Sequence, residues 1–202
     1  MVFILLVLSY LLGSVSFGYL LARIVKGIDI RELGSGNPGA TNIMRVMGLR
    51  YGLLVLFLDL LKGLVVAIAV SSLTPQTGVV LACGLAVIAG HNWPIFFKFK
   101  GGKGAATTLG FFLGFTFLPT LFVVAIVAVV FVTTRYVSLG SIVGSIMIPL
   151  YMLIISSLRP YFLFGLVVCF IILWRHRSNI ERLLNGTEPR LGDKFNFPQK
   201  GR

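Results

Sequence analysis

Six apolar stretches, separated by short polar segments, occupy most of the chain: Val2 to Ala22, 51–72, 77–97, 105–134, 136–157 and 160–174. A helix needs about 20 apolar residues to cross a bilayer core, and most of these stretches meet that length. The fourth is too long for one crossing. As a single helix it would run about 45 Å against a core of about 30 Å. Pro119 sits at its centre, where a proline ends or kinks a helix. Counted as two short helices, it gives seven spans.

Charge decides between the two counts, because basic loops stay on the cytoplasmic side. With seven spans, sixteen of the eighteen Lys and Arg residues share one side; Arg159 lies opposite and Lys62 lies within a span. With six, the two sides are nearly balanced. No positive residue precedes the first span, while Arg23 and Lys26 follow it. That is the reverse of a signal peptide, so the sequence predicts an uncleaved helix with its N-terminus outside and the chain's C-terminus in the cytoplasm. The expected architecture is an all-α, polytopic integral membrane protein. A single seven-helix domain covers residues 1–186, and 187–202 form a mobile cytoplasmic tail carrying Pro189, Gly192 and Pro198.

Composition agrees. Apolar residues make up 57% of the 202 and charged residues only 12%, and mean hydropathy is +0.97. Soluble domains run at about 25% charged, and disordered chains cannot combine low charge with high hydrophobicity. The net charge of +12 would point to nucleic acid in a soluble protein. Here the basic residues are spread over membrane loops rather than gathered in one module, which leaves anionic lipid and substrate phosphate. Cys83 and Cys169 lie in apolar runs without metal or disulfide spacing and read as packing residues. Lys62, three residues after Asp59, reads as an i,i+3 pair that neutralises itself within a span, away from the loops.

Two loops carry the candidate chemistry. The first runs Gly34-Ser35-Gly36-Asn37-Pro38-Gly39-Ala40-Thr41-Asn42. Its G-x-G-x-x-G string is no dinucleotide fingerprint, because no βαβ unit can be built around it. Asn37 as a cap and Pro38 at the first helical position predict a short interfacial helix over about 38–50, carrying Arg45 and Arg50. Glycine-rich turns entering helices present free N–H groups to anions. The second loop repeats the device: Lys98, Lys100, Gly101, Gly102, Lys103 and Gly104 precede Ala105-Ala106-Thr107. Two such sites on one face predict two phosphates, or one substrate carrying several. A third polar segment, Trp174 to Gly186, ends at a helix stop and holds His176 and Asn179. His176 and Glu181 sit about 140° apart on one helix, which argues against a dyad. His91 and His176 lack the carboxylate or cysteine company of a metal site.

GSGNPGATN at 34–42, HNWPIFFKFKGGKGAAT at 91–107 and HRSNIERLLNG at 176–186 resemble the three signature segments of the acyl-phosphate-dependent glycerol-3-phosphate acyltransferases, the PlsY family. The resemblance covers about residues 1–190. It implies a bacterial inner-membrane enzyme with its active site on the cytoplasmic face. Such an enzyme transfers an acyl group from acyl phosphate to the 1-hydroxyl of glycerol 3-phosphate, giving lysophosphatidate and phosphate in the first acylation of phospholipid synthesis. It implies substrate-assisted attack, no metal or nucleotide cofactor, and a functional link to a soluble enzyme that makes acyl phosphate; the spread of basic residues already argues against a nucleic-acid partner. Carried onto this chain, Ser35 and adjacent N–H groups hold the donor, while Lys103 and Arg45 clamp phosphate. His176 and Asn179 orient the acceptor. Gly36, Asn37, Thr41, Gly101, Gly102 and Gly104 complete the loop contacts. The competing reading from the residues alone is a small membrane transporter of organic phosphate anions, built on broken helices and a loop–span–span repeat.

Overall fold

The computed structural model describes residues 1–193, among which there are ten α-helices and no strand. The mobile-tail expectation for 194–202 lies outside the described residues. Among the described residues, five helices or helix runs are long and apolar enough to cross a membrane, six if the bent pair α1 (Val2–Gly13) and α2 (Phe17–Lys26) is one span. The others are α4 (Leu49–Leu73), α5 (Thr77–Asn92) with the 3₁₀ turn Ile95–Phe97, α7 (Phe117–Thr134), α8 (Val137–Ile154), and α9 (Phe162–Arg175) with the turn before it. α6 (Ala105–Phe115) is apolar and short, about 16 Å long.

Three expectations change. The first span is not one helix. It breaks at Ser14–Ser16 and bends by 41°, and Lys62 of α4 accounts for the break. Its ammonium donates to the carbonyls of Gly13 (3.1 Å) and Val15 (3.2 Å), groups that a helix end leaves without intrahelical partners. The 105–134 stretch does divide, but at Thr116 rather than Pro119. Pro119 falls in the first turn of α7, where its missing N–H costs no hydrogen bond. The interfacial helix α3 spans only Ala40–Met47, capped by Gly39 and closed by Gly48. Asn37 and Pro38 stand before it, and Asn37 Oδ1 accepts from the Gly39 N–H at 2.8 Å.

α6 packs tightly along α4, α1 along α5, and α8 against both α7 and α9. Close approach sets the first contact. A Cβ on Gly110 would lie 1.8 Å from the Leu60 carbonyl oxygen, and one on Gly63 would lie 2.0 Å from that of Thr107. Phe111, Phe112, Met152, Val168 and Ile172 fill the common core. A smaller cluster of Ala22, Ile30, Ile43, Met47 and Val55 seats α2 and α3 on α4. That cluster fixes one end of the bundle, where the two glycine loops come together.

Candidate active site

The first loop is organised by its own side chains. Asn42, 1% exposed, accepts from the Ser35 N–H (2.9 Å) and donates to the carbonyls of Leu33 (2.9 Å) and Ile30 (3.3 Å). Asp29 and Arg31 pair at 2.7 Å just upstream. These bonds correct the expected anion cradle. The N–H groups of Ser35, Gly36 and Gly39 already donate to Asn42, Leu33 and Asn37, so these three donors are engaged within the loop. The donors that helix geometry leaves over are those of the first turn of α3, where Ala40 and Thr41 line an inner cavity.

The second loop is held by residues remote in sequence. Arg175 donates to the carbonyls of Gly102 (2.7 and 3.1 Å) and Gly101 (3.0 Å). The Gly102 N–H donates to the His91 carbonyl at 3.0 Å. The His91 ring lies against Gly102 so closely that a Cβ there would be 2.0 Å from Nε2. Lys98 and Phe99 both take left-handed backbone, φ +55° and +58°, a conformation non-glycine residues rarely hold. The buried Asp59–Lys62 pair (2.9 Å) forms as an i,i+3 contact, but not away from the loops. Lys62 Nζ is 2.7 Å from His91 Nδ1, and Asp59 and His91 face the inner cavity.

The last helix breaks at His176, so the helical-wheel angle to Glu181 does not apply. His176 ends α9 and caps α10 (Arg177–Leu184). Its Nδ1 lies 2.8 Å from the Ile172 carbonyl. A carbonyl only accepts, so Nδ1 carries the proton and Nε2 is left as an acceptor. Burial, with Lys103 nearby, pushes the imidazole down to about 4, so it is neutral at physiological pH. Burial likewise pushes the Lys103 ammonium down to about 8. Lys103 donates to Asn179 Oδ1.

Three cavities adjoin at this end. An outer chamber of about 870 Å³ has eight Lys and Arg residues in its wall against Asp29 and Glu32. It shares Ser35, Asn37, Arg45 and Lys103 with an inner neck of about 130 Å³, where Thr41, Gly104, His176 and Asn179 also stand. The neck shares Leu56, Ala105, Ala106, Val137 and Ser141 with an apolar pocket of about 260 Å³ between α6, α7 and α8. Ala40–Thr41 of α3 and Ala105–Ala106 of α6 place two helix N-termini at the neck, each a favourable place for negative charge.

A family model described as glycerol-3-phosphate acyltransferase matches residues 3–186. A glycerol-3-phosphate acyltransferase of Desulforamulus reducens is 44% identical over 186 residues, covering 92% of this chain and 93% of its own. One from Synechococcus sp. (strain CC9902) is 45% identical over 191 residues, covering 95% and 96%. The crystal structure of PlsY (YgiH), an integral membrane glycerol 3-phosphate acyltransferase, in its glycerol 3-phosphate form superposes with a TM-score of 0.89. That match has 43% identity and covers 95% of this chain and 96% of that one. Its lysophosphatidic acid form gives 0.85 at 42% identity. The chain belongs to the glycerol-3-phosphate acyltransferase family.

In this acyltransferase the sequence-derived residues converge. Ser35, Asn37, Arg45 and Lys103 stand where chamber and neck meet, with His176, Asn179, Thr41 and Gly104 deeper in, and Gly36 and Gly101 on the outer wall. Gly102 acts as the seat for His91. Two contributors escaped the sequence reading. Arg175 braces the second loop, and its guanidinium lies 5.7 Å over the Trp93 ring. Glu188, 6% exposed, accepts from Asn179 Nδ2 (2.6 Å), Ser138 Oγ (2.7 Å) and Arg182 Nε (2.7 Å). With Arg45 donating to the Pro189 carbonyl (3.1 Å) and Leu191 joined to Arg135, the chain past 186 begins as part of the site. Glu188 was missed because its role shows only in its partners, which lie 6, 9 and 50 residues away.

Proposed function

We propose that this enzyme acylates the 1-hydroxyl of glycerol 3-phosphate with acyl phosphate as donor. One observation carries the reading: a basic chamber, a polar neck and an apolar pocket share walls in series. An acyl phosphate fits with its tail in the pocket, its phosphate towards Lys103 and its carbonyl at the neck. The related PlsY structures, in glycerol 3-phosphate and lysophosphatidic acid forms, agree with an acceptor and a product of this kind.

In the reaction the acceptor hydroxyl attacks the donor carbonyl carbon. The bond from that carbon to the phosphate oxygen breaks, and inorganic phosphate leaves with the hydroxyl proton. The donor is a mixed anhydride with a good leaving group, so the protein supplies position and electrostatics rather than a covalent nucleophile. Lys103 and Arg45 bind phosphate oxygens. Ser35 and the first-turn N–H groups of α3 and α6 face the developing negative charge. His176 Nε2 accepts from the acceptor hydroxyl and aims it, and Asn37, Thr41 and Asn179 line the approach. Neutral and held to about 4, His176 is a weak base, which favours the donor phosphate as proton acceptor.

The proposed topology has seven spans: α1–α2 as one broken span, then α4 to α9 in turn. The N-terminus lies outside, and the site and C-terminus are cytoplasmic, supported by the one-sided distribution of Lys and Arg. The setting is the bacterial inner membrane, and a soluble acyl-phosphate-forming enzyme supplies the donor. Phosphate release on mixing acyl phosphate, glycerol 3-phosphate and purified enzyme tests the reading. Acyl-CoA should turn over at least tenfold more slowly. Equal rates with acyl-CoA would refute the donor assignment.

A further inference from the structure

We propose that Glu188 is a positioning residue of this active site: its carboxylate fixes the Asn179 amide, which in turn holds the Lys103 ammonium at the mouth of the neck. The proposal rests on the reading of Lys103 as a phosphate-binding group. The argument is one of donors and acceptors. An ionised carboxylate only accepts, so it selects the NH₂ end of Asn179; Nδ2 donates to Glu188 Oε1 at 2.6 Å. The other end of the amide, Oδ1, must then face away, and there it meets Lys103, which only donates. Without the carboxylate the amide is free to turn and present NH₂ to an ammonium, which is repulsive.

Glu188 is itself fixed from three sides. Ser138 of α8 donates to the same oxygen as Asn179, and Arg182 of α10 donates to the other. It is therefore built into the wall rather than resting in the phosphate site as a displaceable anion. It also supplies charge. Arg45 from α3, Arg175 from α9 and Arg182 from α10 all act on Lys103 to drive off its proton, with His176 neutral beside it, and Glu188 opposes them. Lys103 accordingly keeps a proton at neutral pH within a cluster of guanidinium groups.

The test is the pH dependence of kcat/KM for acyl phosphate, which reports ionisations of the free enzyme. The wild type should lose activity above about pH 8, and Lys103→Arg, which stays charged, should abolish that limb. A limb that survives Lys103→Arg would sink the reading of Lys103 itself. Given that limb, Glu188→Gln should move it down by about one pH unit, and Glu188→Asp should leave it near the wild-type position. A merely structural role would lower activity or thermal stability without moving the limb. Glu188→Ala must give the same shift and serves where Glu188→Gln does not fold, as judged by elution and Tm in detergent. A limb unmoved in a folded Glu188→Gln or Glu188→Ala protein, with Lys103→Arg still abolishing it, overturns the proposal.

Discussion

The two glycine-rich loops resemble each other as strings of residues and are held in opposite ways. The first stabilises itself: Asn42, seven residues on, takes the Ser35 N–H and returns two donors to the chain between 30 and 33. The second contributes little of its own support. Its carbonyls are held by Arg175, more than seventy residues away, and its backbone lies on the His91 ring. His91 in turn contacts Lys62, which also ties down the break in the first span. The first loop's own bonds set the local conformation around Ser35 and Asn37, and its ties outward are few: Arg31 donates to the Phe97 carbonyl at 3.3 Å, and Pro38 packs against Gly18 of α2. A loop braced by α5 and α9 carries Lys103 wherever those helices put it. The Lys103 side of the cavity is therefore tied to helix packing, and damage to the two loops should show in different measurements.

The largest effect is expected at the seat of the second loop. Gly102→Ala drives a methyl group into the His91 ring. The loop must shift, and displacing a positioning group by about 1 Å costs on the order of 10²-fold in rate. We expect kcat/KM to fall at least that far while the protein still folds. Near-normal activity would show that the loop is not seated on His91 during turnover. Asn42→Ala is the counterpart in the first loop. It strips partners from the N–H of exposed Ser35 and from the carbonyls of Ile30 and Leu33, a loss of about 0.5–1.5 kcal/mol per bond that should appear in thermal unfolding. An unchanged Tm would mean the first loop is braced from outside after all. Arg175→Lys tests the brace more gently. A lysine keeps the charge but cannot reach two carbonyls with a planar fork, so activity should fall about tenfold, the equivalent of about 1.4 kcal/mol. Asn42→Ala and Arg175→Lys should combine additively if the loops are independent.

The same contrast explains what could be read in the chain. Long apolar runs mark their own helices, and each candidate site residue sits in a short, distinctive segment, so the bundle and the convergence of three segments were legible. The breaks were not. Pro119 is a visible signal in the wrong place, tolerated in the first turn of α7. The true interruption at Thr116 involves a hydroxyl 2.9 Å from Tyr151 on α8, and that at Ser14–Ser16 involves Lys62 on α4. Loop glycines advertised free N–H groups, yet Asn42 and Asn37 had already taken those of Ser35 and Gly39. What depends on a partner several helices away leaves no mark in local spacing. Arg175 with Gly101 and Gly102, and Ser138 with Glu188, are the clearest cases.

The smallest effect concerns acid pH, and it separates the loops once more. Ser35, Asn37 and Asn42 of the first loop do not titrate in this range, whereas His176 borders the brace of the second. An ordinary histidine titrates near 6.5; burial beside Lys103 pushes this one down to about 4. The sign follows: lowering the pH adds a proton to His176 only as the value nears 4. At pH 5 only about a tenth of the protein carries it. Protonation would put a hydrogen on Nε2 and remove the acceptor that, in the proposed mechanism, aims the substrate hydroxyl. Between pH 7 and 5, His176 should therefore contribute almost nothing to the slope of log kcat. Phosphate groups of the substrates titrate near pH 6, so the comparison must be with His176→Gln, whose profile retains the substrate step. Parallel wild-type and variant profiles, offset in height, are expected for an orienting acceptor. A step near 6.5 in wild type that vanishes in His176→Gln would make His176 the base that takes the hydroxyl proton. The donor phosphate would then lose that role, and proton transfer would fall to the residue beside Arg175 in the chain.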